Sequence, residues 1–492
     1  MILINPQFNR IKKLGIFSQY VPLSLPISLG ILAGHLLAKG KKAKILDDQI
    51  KPITGEVLKE CTKDLETPYL FGISCFTAGI GRGYEIAELI KKVYPDSYVI
   101  MGGIHPTVLP EEVLQNKQVD IVVRKEGEET IIKLYEALKN KQDYTHILGI
   151  SYKNKNGEMV HNPDAPLFQN LNLLPNFSYN LFAEHIDKYN LGFILSSRGC
   201  PYDCIFCSQR QVTGRSYRFF ETKRVVEEID LLINKYKQID INFFDDNFIV
   251  NKERTKELCN LMYQNGFPQK ATFTCQARGD AVDEEILEHL KKAGFTTIGF
   301  GLETSSERLM KLINKGETVE QNIKAIKLAK KYGFNIMGSF IFGLPTETHV
   351  ERYQAYQLAK KLDLDFIRFN NATPYPGTEL YKMALLEGRL KAGDNWENLS
   401  ACGTFSEGPF SQAELAYCPA GTSEKELRRD ILRANFFFWL TPKRILKILT
   451  RGSVPGGWFV LPPKWYLKPK EIYYITLLGL RTGLSIIKML FI

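Results

Sequence analysis

Cys200, Cys204 and Cys207 stand within eight residues, in the segment Ser197-Arg198-Gly199-Cys200-Pro201-Tyr202-Asp203-Cys204-Ile205-Phe206-Cys207. Thiolates at spacings of four and three can wrap one tight loop around a single metal centre. A structural zinc ion wants a fourth protein ligand close by. No Cys or His follows within forty residues of Cys207. An ordinary apolar turn is the bland alternative. A cubane [4Fe–4S] cluster has four irons, so three cysteines leave one iron open. An open iron can bind a substrate's amino and carboxylate groups, as reductive cleavage of S-adenosylmethionine requires. Nine cysteines in 492 residues are too few for a disulfide scaffold, and their crowding points to a metal or cluster site in a reducing compartment.

The elements that must position this loop are legible as alternating patterns. Short apolar runs at 2–5, 44–46, 69–74, 98–101 and 121–123 predict strands, with helical patterns such as 28–38 and 84–93 between them. That alternation predicts a doubly wound parallel sheet over residues 1–140. Ligands of such sheets sit at the carboxyl ends of the strands. Those ends carry Ser74–Thr77, Gly102–Thr107 and Glu126–Glu128. Glycines that merely close tight turns are the plainer alternative. Asn154, Asn156 and Gly157 predict a hairpin, and 141–189 reads as hairpin and linker. A second series follows over 190–377, with strands near 193–197, 240–244, 271–275, 297–300, 336–340 and 366–370, separated by helices such as 224–237 and 319–332. Six consecutive βα units predict a partial (β/α)6 barrel with its active site at the carboxyl ends of the strands. The cysteine loop directly follows the first of them. Residues 378–492 form a helical, basic and aromatic region, so the expected class is α/β throughout the first two domains.

The Cys-x3-Cys-x2-Cys loop, with Phe206 before its last cysteine, resembles the radical S-adenosylmethionine (radical SAM) superfamily over about residues 190 to 375. The resemblance implies a [4Fe–4S] cluster on Cys200, Cys204 and Cys207, with S-adenosylmethionine as co-substrate. It implies cofactor contacts from Asp245 and Asp246 in Phe244-Asp245-Asp246-Asn247, and from Arg278 in Arg278-Gly279-Asp280. Glu303 in Gly299-Phe300-Gly301-Leu302-Glu303-Thr304 is expected to point toward the site. Gly343 in Phe342-Gly343-Leu344-Pro345 is expected to let backbone approach the adenine. The carboxylates could instead cap helices, and Arg278 could form a surface ion pair.

The amino-terminal half is similar to the cobalamin-binding group of that superfamily. The similarity rests on Pro26 to Ala33, Ile45-Leu46-Asp47, Gly72-Ile73-Ser74, Met101 to Thr107 and Glu126-Gly127-Glu128. It implies a corrin near Ser74, Thr77, Gly102, Gly103, His105, Glu126 and Gly127. There is no Asp-x-His-x-x-Gly motif, so no histidine is evidently offered to cobalt, and His105 is expected near the corrin edge. Lys125 stands where such proteins often have glycine. These cofactors imply C-methylation of an unactivated carbon in a small-molecule or lipid-like substrate, with a cyclase or rearrangement enzyme as the nearest alternative. A non-catalytic metal-binding sensor module is the alternative from another class. The cofactors carry the hard chemistry, so no Ser-His-Asp set is needed. An electron donor such as flavodoxin or ferredoxin is implied.

The net charge is +10, and residues 421–492 hold thirteen Lys/Arg against four Asp/Glu, so the remainder is nearly neutral. That distribution and the absence of a zinc-finger or RNA-binding signature exclude a nucleic-acid groove through the core. No signal segment is expected ahead of the first strand, and the apolar stretch 23–37 is broken by Pro26, Gly30 and His35. A cytoplasmic protein is expected. The tail, with Phe436, Phe437, Phe438 and Trp439 beside basic residues and an apolar stretch to Ile492, predicts barrel capping over 425–450. For the last twenty residues it predicts contact with a membrane surface or an apolar partner.

Overall fold

A computed structural model describes residues 1–7, 23–391, 396–401, 414–439, 441 and 444. The first sheet is built from β1 (Ile2–Asn5), β2 (Lys44–Asp47), β3 (Leu70–Ser74), β4 (Tyr98–Gly102) and β5 (Ile121–Val123), with α1 (Ile27–Ala38), α2 (Gly55–Thr62), α3 (Ile80–Val93) and α4 (Glu128–Lys139) between them. Its order is β2-β1-β3-β4-β5, all parallel, so the chain reverses direction across the sheet between β1 and β3. Side chains alternate across a strand. Leu3 therefore joins Leu29, Ala33, Ile131 and Leu134 on one face, while Ile2 and Ile4 join Leu58, Ile86 and Ile90 on the other. Both faces are covered, as a parallel sheet requires.

The hairpin forms where Asn154 and Gly157 stand. Asn154 Oδ1 accepts from the N–H groups of Asn156 and Glu158 at 2.9 and 3.0 Å, and Gly157 takes the left-handed turn. Its strands, β6 (Ile150–Lys153) and β7 (Met159–His161), extend the first sheet antiparallel from β5. Residues beyond 140 are thus part of that sheet.

The second sheet holds β8 (Phe193–Ile194), β9 (Asp240–Phe243), β10 (Thr272–Ala277), β11 (Phe295–Glu303), β12 (Asn335–Phe342) and β13 (Phe366–Asn371), parallel and in chain order. Helices α5 (Thr222–Asp230), α6 (Lys252–Gln264), α7 (Glu284–Lys292), α8 (Val319–Lys331) and α9 (His349–Lys361) follow its strands. Phe243, Phe248, Phe273 and Phe295 form one buried aromatic cluster with ring centroids 4.6–6.3 Å apart. Each such ring contributes about 1.5–3 kcal/mol by leaving water. The final described helix, α10 (Glu424–Trp439), caps this barrel. Its Asn435 bridges the N–H and C=O of Phe369 at 3.1 and 2.8 Å. The capping expectation thus holds for the described part of 425–450. Most of the tail from 440 to 492 lies outside the described residues. Among those described, no helix is long and apolar enough to cross a membrane.

β8 is shorter than the predicted run to Ser197. Ser197–Arg198 leaves the barrel and pairs antiparallel with Arg218–Phe219. The cause is side-chain capture: Asp245 Oδ1 accepts from Ser196 N, Ser196 Oγ and Ser197 Oγ at 3.0, 3.1 and 2.5 Å. Arg254 from α6 donates to the carbonyls of Ser196 and Phe220 at 2.8 and 3.1 Å. The chain is therefore turned into the cysteine loop by buried polar partners.

Candidate functional site

The cysteine loop is held from several sides. Ile205 N–H donates to Ile313 O at 3.1 Å, Cys207 N–H to Cys204 O at 3.1 Å, and Asn314 Nδ2 to Asp203 O at 3.0 Å. Arg210 and Arg215 both pair with Asp203. The guanidinium of Arg278 lies 3.5 Å from the Tyr202 ring centre, between the first two cysteines, a cation–π contact. Phe206 packs into the apolar cluster of Leu309, Met310 and Leu380. All three cysteines are free and half-buried. Burial pushes each thiol up, Cys204 to about 11. Thiols so placed give up their protons on binding metal, because the metal's charge replaces the missing solvation.

Charged side chains converge behind Cys204. Glu303 ends β11 with a left-handed backbone (φ 58°), and its Oε1 accepts from Lys315 Nζ at 2.8 Å. Burial opposes the charge of Lys315, but Glu303 and Glu317 outweigh it and raise its pKa above the usual lysine value. Arg278 forms a bidentate pair with Asp280 at 3.0 and 2.7 Å and donates to Lys315 O at 2.6 Å. Its nitrogens are occupied by protein, so it braces the loop. Asp246 stands open at the mouth, with Oδ2 accepting from Gly199 N–H at 3.2 Å. Asp245 is instead fully enclosed as the clamp on Ser196 and Ser197, and burial raises it to about 6. Gly343, expected near adenine, has φ 87°, and a Cβ there would meet Leu427 of α10 at 2.8 Å. The close approach is made by the capping helix.

A cavity of about 490 Å³ opens where the first sheet faces the barrel. Asn5, Ser74, Cys75, Phe76 and Thr77 line it from the ends of β1 and β3, the reversal point at which such sheets bind ligands. Ser208, directly after Cys207, lines the other side with Tyr375, Pro376, Leu399 and Ser400. Among the described residues no charged side chain lines it. Phe76 is 75 % exposed, so its ring is left open to a ligand. Gly102 ends β4 and Gly103 follows with φ 99°, where a Cβ would stand 2.7 Å from Cys75 O. Only glycine allows that wall to close. Lys125, at the position where the resemblance leads one to expect glycine, also adopts a left-handed backbone (φ 60°), a conformation that favours glycine.

Two expected contacts are placed elsewhere. His105 is fully buried, its Nε2 3.0 Å from Glu112 Oε2 and its ring edge-on to Trp396 at 5.0 Å. It does not line the cavity, and none of the lining residues is a histidine. Glu126 turns from the cavity to the barrel, taking Arg218 at 2.7 and 2.9 Å, Arg198 at 3.2 Å and Phe168 N–H at 3.0 Å. Gly127 is the cap residue just before α4, and Glu128 pairs with Arg198 at 2.7 Å. Buried charges need such partners.

The radical SAM superfamily model matches residues 194–359, and the B12 binding domain model matches residues 19–134. An uncharacterized methyltransferase of Pyrococcus horikoshii is 34% identical over 428 residues, covering 86% of this chain and 89% of that one. This chain belongs to the cobalamin-binding radical SAM enzymes. The anaerobic magnesium-protoporphyrin IX monomethyl ester cyclase of Rubrivivax gelatinosus is 28% identical over 369 residues, 73% of this chain and 66% of that one. The structure of TsrM from Kitasatospora setae, a radical SAM methyltransferase with cobalamin and a [4Fe–4S] cluster bound, shares the fold. Its TM-score is 0.70 at 19% identity, covering 90% of this chain and 91% of that one. The α/β architecture is thus that of a B12-binding domain joined to a radical SAM domain.

As a cobalamin-binding radical SAM enzyme, the protein uses a [4Fe–4S] cluster, S-adenosylmethionine and cobalamin. The residues present fit these groups: three free thiols share one loop, and a cavity with no charged lining among the described residues lies at the sheet's reversal point. The sequence did not single out Lys315, Glu317, Ser208, Tyr375 or Leu399. Only Ser208 had a local signal, its position next to Cys207.

Proposed function

We propose that this enzyme methylates an unactivated carbon of an uncharged, largely apolar small molecule or lipid-like substrate. The observation that carries it is a cavity walled by both Ser208, beside the last cluster cysteine, and Ser74 and Thr77 of the B12-binding domain. In this reading Cys200, Cys204 and Cys207 ligate the cluster, and residues 1–140 carry the corrin, with Ser74, Thr77, Gly102 and Gly103 shaping its side of the cavity. The barrel spans 190–377. Asp246 and Glu303 face the S-adenosylmethionine side as acceptors for its ammonium group. The bound cofactors supply hydrogen abstraction and the methyl group. The protein's own work is to hold the reactants in register and keep water away from the reacting carbon. Pro6, Phe76, Ile104, Tyr375, Pro376 and Leu399 do the latter.

Product analysis with methyl-labelled S-adenosylmethionine tests the proposal: label in the product is expected. The cyclase relative favours a second reading in which the same cofactors close a ring, and an unlabelled, cyclised product would establish it. The reductant is a flavodoxin- or ferredoxin-like donor. The enzyme acts in the cytoplasm, with its basic tail at the inner membrane surface. Salt-reversible pelleting with anionic vesicles tests that placement.

A further inference from the structure

One cation of the site is explained neither by the cysteine loop nor by the cavity. Lys315 is buried, and the segment that carries it is fastened to the loop that carries Cys204. Ile205 N–H binds Ile313 O at 3.1 Å, and Asn314 reaches Asp203 O at 3.0 Å. Arg278 Nη1 holds the Lys315 carbonyl at 2.6 Å while its guanidinium lies on Tyr202. The ammonium reaches Glu303 at 2.8 Å and Glu317 at 3.7 Å. Room for this pair is made by a glycine two residues before Glu303 in the same strand, β11. A Cβ on Gly301 would stand 2.4 Å from Glu303 Oε1 and 2.8 Å from Lys315 Nζ. Glu303 itself accepts a strained left-handed backbone to bring its carboxylate there. Strained backbone, an omitted side chain and a fastened loop all converge on one buried ammonium group.

We propose that Lys315 is a positioning residue that locks Glu303 by one carboxylate oxygen and sets a fixed positive charge behind the Cys204 corner of the cluster. The inference rests on the cluster assignment above and adds a role for a residue outside its ligand set. Among the described residues no partner takes Glu303 Oε2, so anchoring Oε1 leaves one oxygen oriented for a cationic ligand group. Reduction adds one negative charge to a cluster already bound by thiolates. A nearby cation in a low-dielectric surround therefore favours the reduced form. Removing it makes reduction harder.

The test uses the full-length protein, anaerobically reconstituted, with Lys315→Gln and Lys315→Arg beside wild type. Glutamine keeps a donor for Glu303 but no charge, and arginine keeps the charge. The readouts are the midpoint potential followed by the reduced-cluster EPR signal, and the change of that signal on adding S-adenosylmethionine. Lys315→Gln is expected to disfavour reduction by roughly tenfold or more in the equilibrium and to weaken the S-adenosylmethionine response. Lys315→Arg should stay near wild type. Loss of the cluster from Lys315→Gln but not from Lys315→Arg would also support a requirement for charge. A loaded Lys315→Gln cluster with unchanged potential and response overturns the proposal, as does cluster loss from both variants. Absence of any cluster in wild type would instead overturn the underlying assignment.

Discussion

Glu126 receives both terminal nitrogens of Arg218, at 2.7 and 2.9 Å, across 92 residues of sequence. The pair joins the B12-binding domain to the antiparallel ribbon that leads into the cluster loop, and Glu128 repeats the link through Arg198, two residues before Cys200. Burial alone would raise the pKa of Glu126, but Arg218 and Arg198 outweigh it and hold the carboxyl below the usual value of 4.5.

Removing one partner of a buried pair strands the other. Glu126→Ala is expected to lower unfolding stability by about 3–5 kcal/mol, measured by urea denaturation. Because the folded pKa is depressed, the pair's contribution is fully present above the unfolded value and is lost as pH falls through the folded one. The difference between wild type and Glu126→Ala should therefore shrink below about pH 4. A difference that stays constant from pH 7 down would show that packing, not charge, sets the loss.

Cys204→Ala should fold, since the loop is also held by Ile205, Asp203 and Tyr202. It should lack the cluster's visible absorption and form no 5′-deoxyadenosine. Wild-type cleavage in this variant would refute the ligand assignment.

At Gly103 an added methyl group meets Cys75 O at 2.7 Å and an unfavourable φ of 99°. Gly103→Ala is expected to cost about 1–3 kcal/mol of local strain and to displace the wall between Ser74 and Phe76. Cobalt content after reconstitution, measured by elemental analysis, should fall well below wild type. Equal cobalt content would free that wall of any role in corrin binding.

Glu347 accepts from Gly343 N–H at 2.5 Å in a buried setting, and burial pushes its pKa from 4.5 to about 8. The folded state then binds a proton that the unfolded state has released. Stability contributed by this group is complete below about pH 4.5 and declines as pH rises toward 8, by up to about 1.4 kcal/mol per pH unit. Glu347→Gln keeps an acceptor for Gly343 and should flatten that decline. Parallel slopes in urea titrations of both proteins across this window would rule the assignment out.

Some of this was legible without coordinates. The cysteine spacing, the order of the strands and the hairpin at Asn154–Gly157 are local properties. A loop ligating one centre, a period of two or 3.6 and a glycine turn each need only a few adjacent residues. The run through Ser197 was read one segment too long, because Asp245 and Arg254 that bend it come from other elements.

Tertiary structure alone decided which charges became buried and whom they met. Glu126 looked like a cofactor contact at a strand end, Glu128 like its neighbour in the same loop, and His105 like a loop residue at a corrin edge. Docking of the two sheets placed Arg198 and Arg218 against Glu126 and Glu128 and brought Trp396 to His105, while the turn after His105 supplied Glu112 from the same domain. Lys315 carried no signal at all, since a lysine in sequence is a solvated surface charge until the fold removes its water. The sequence by itself determined which chemistry the chain can hold, through side chains close together along it. Long-range packing decided which carboxylates stay free to serve that chemistry, because pairing of buried charges depends on distances that no local spacing encodes.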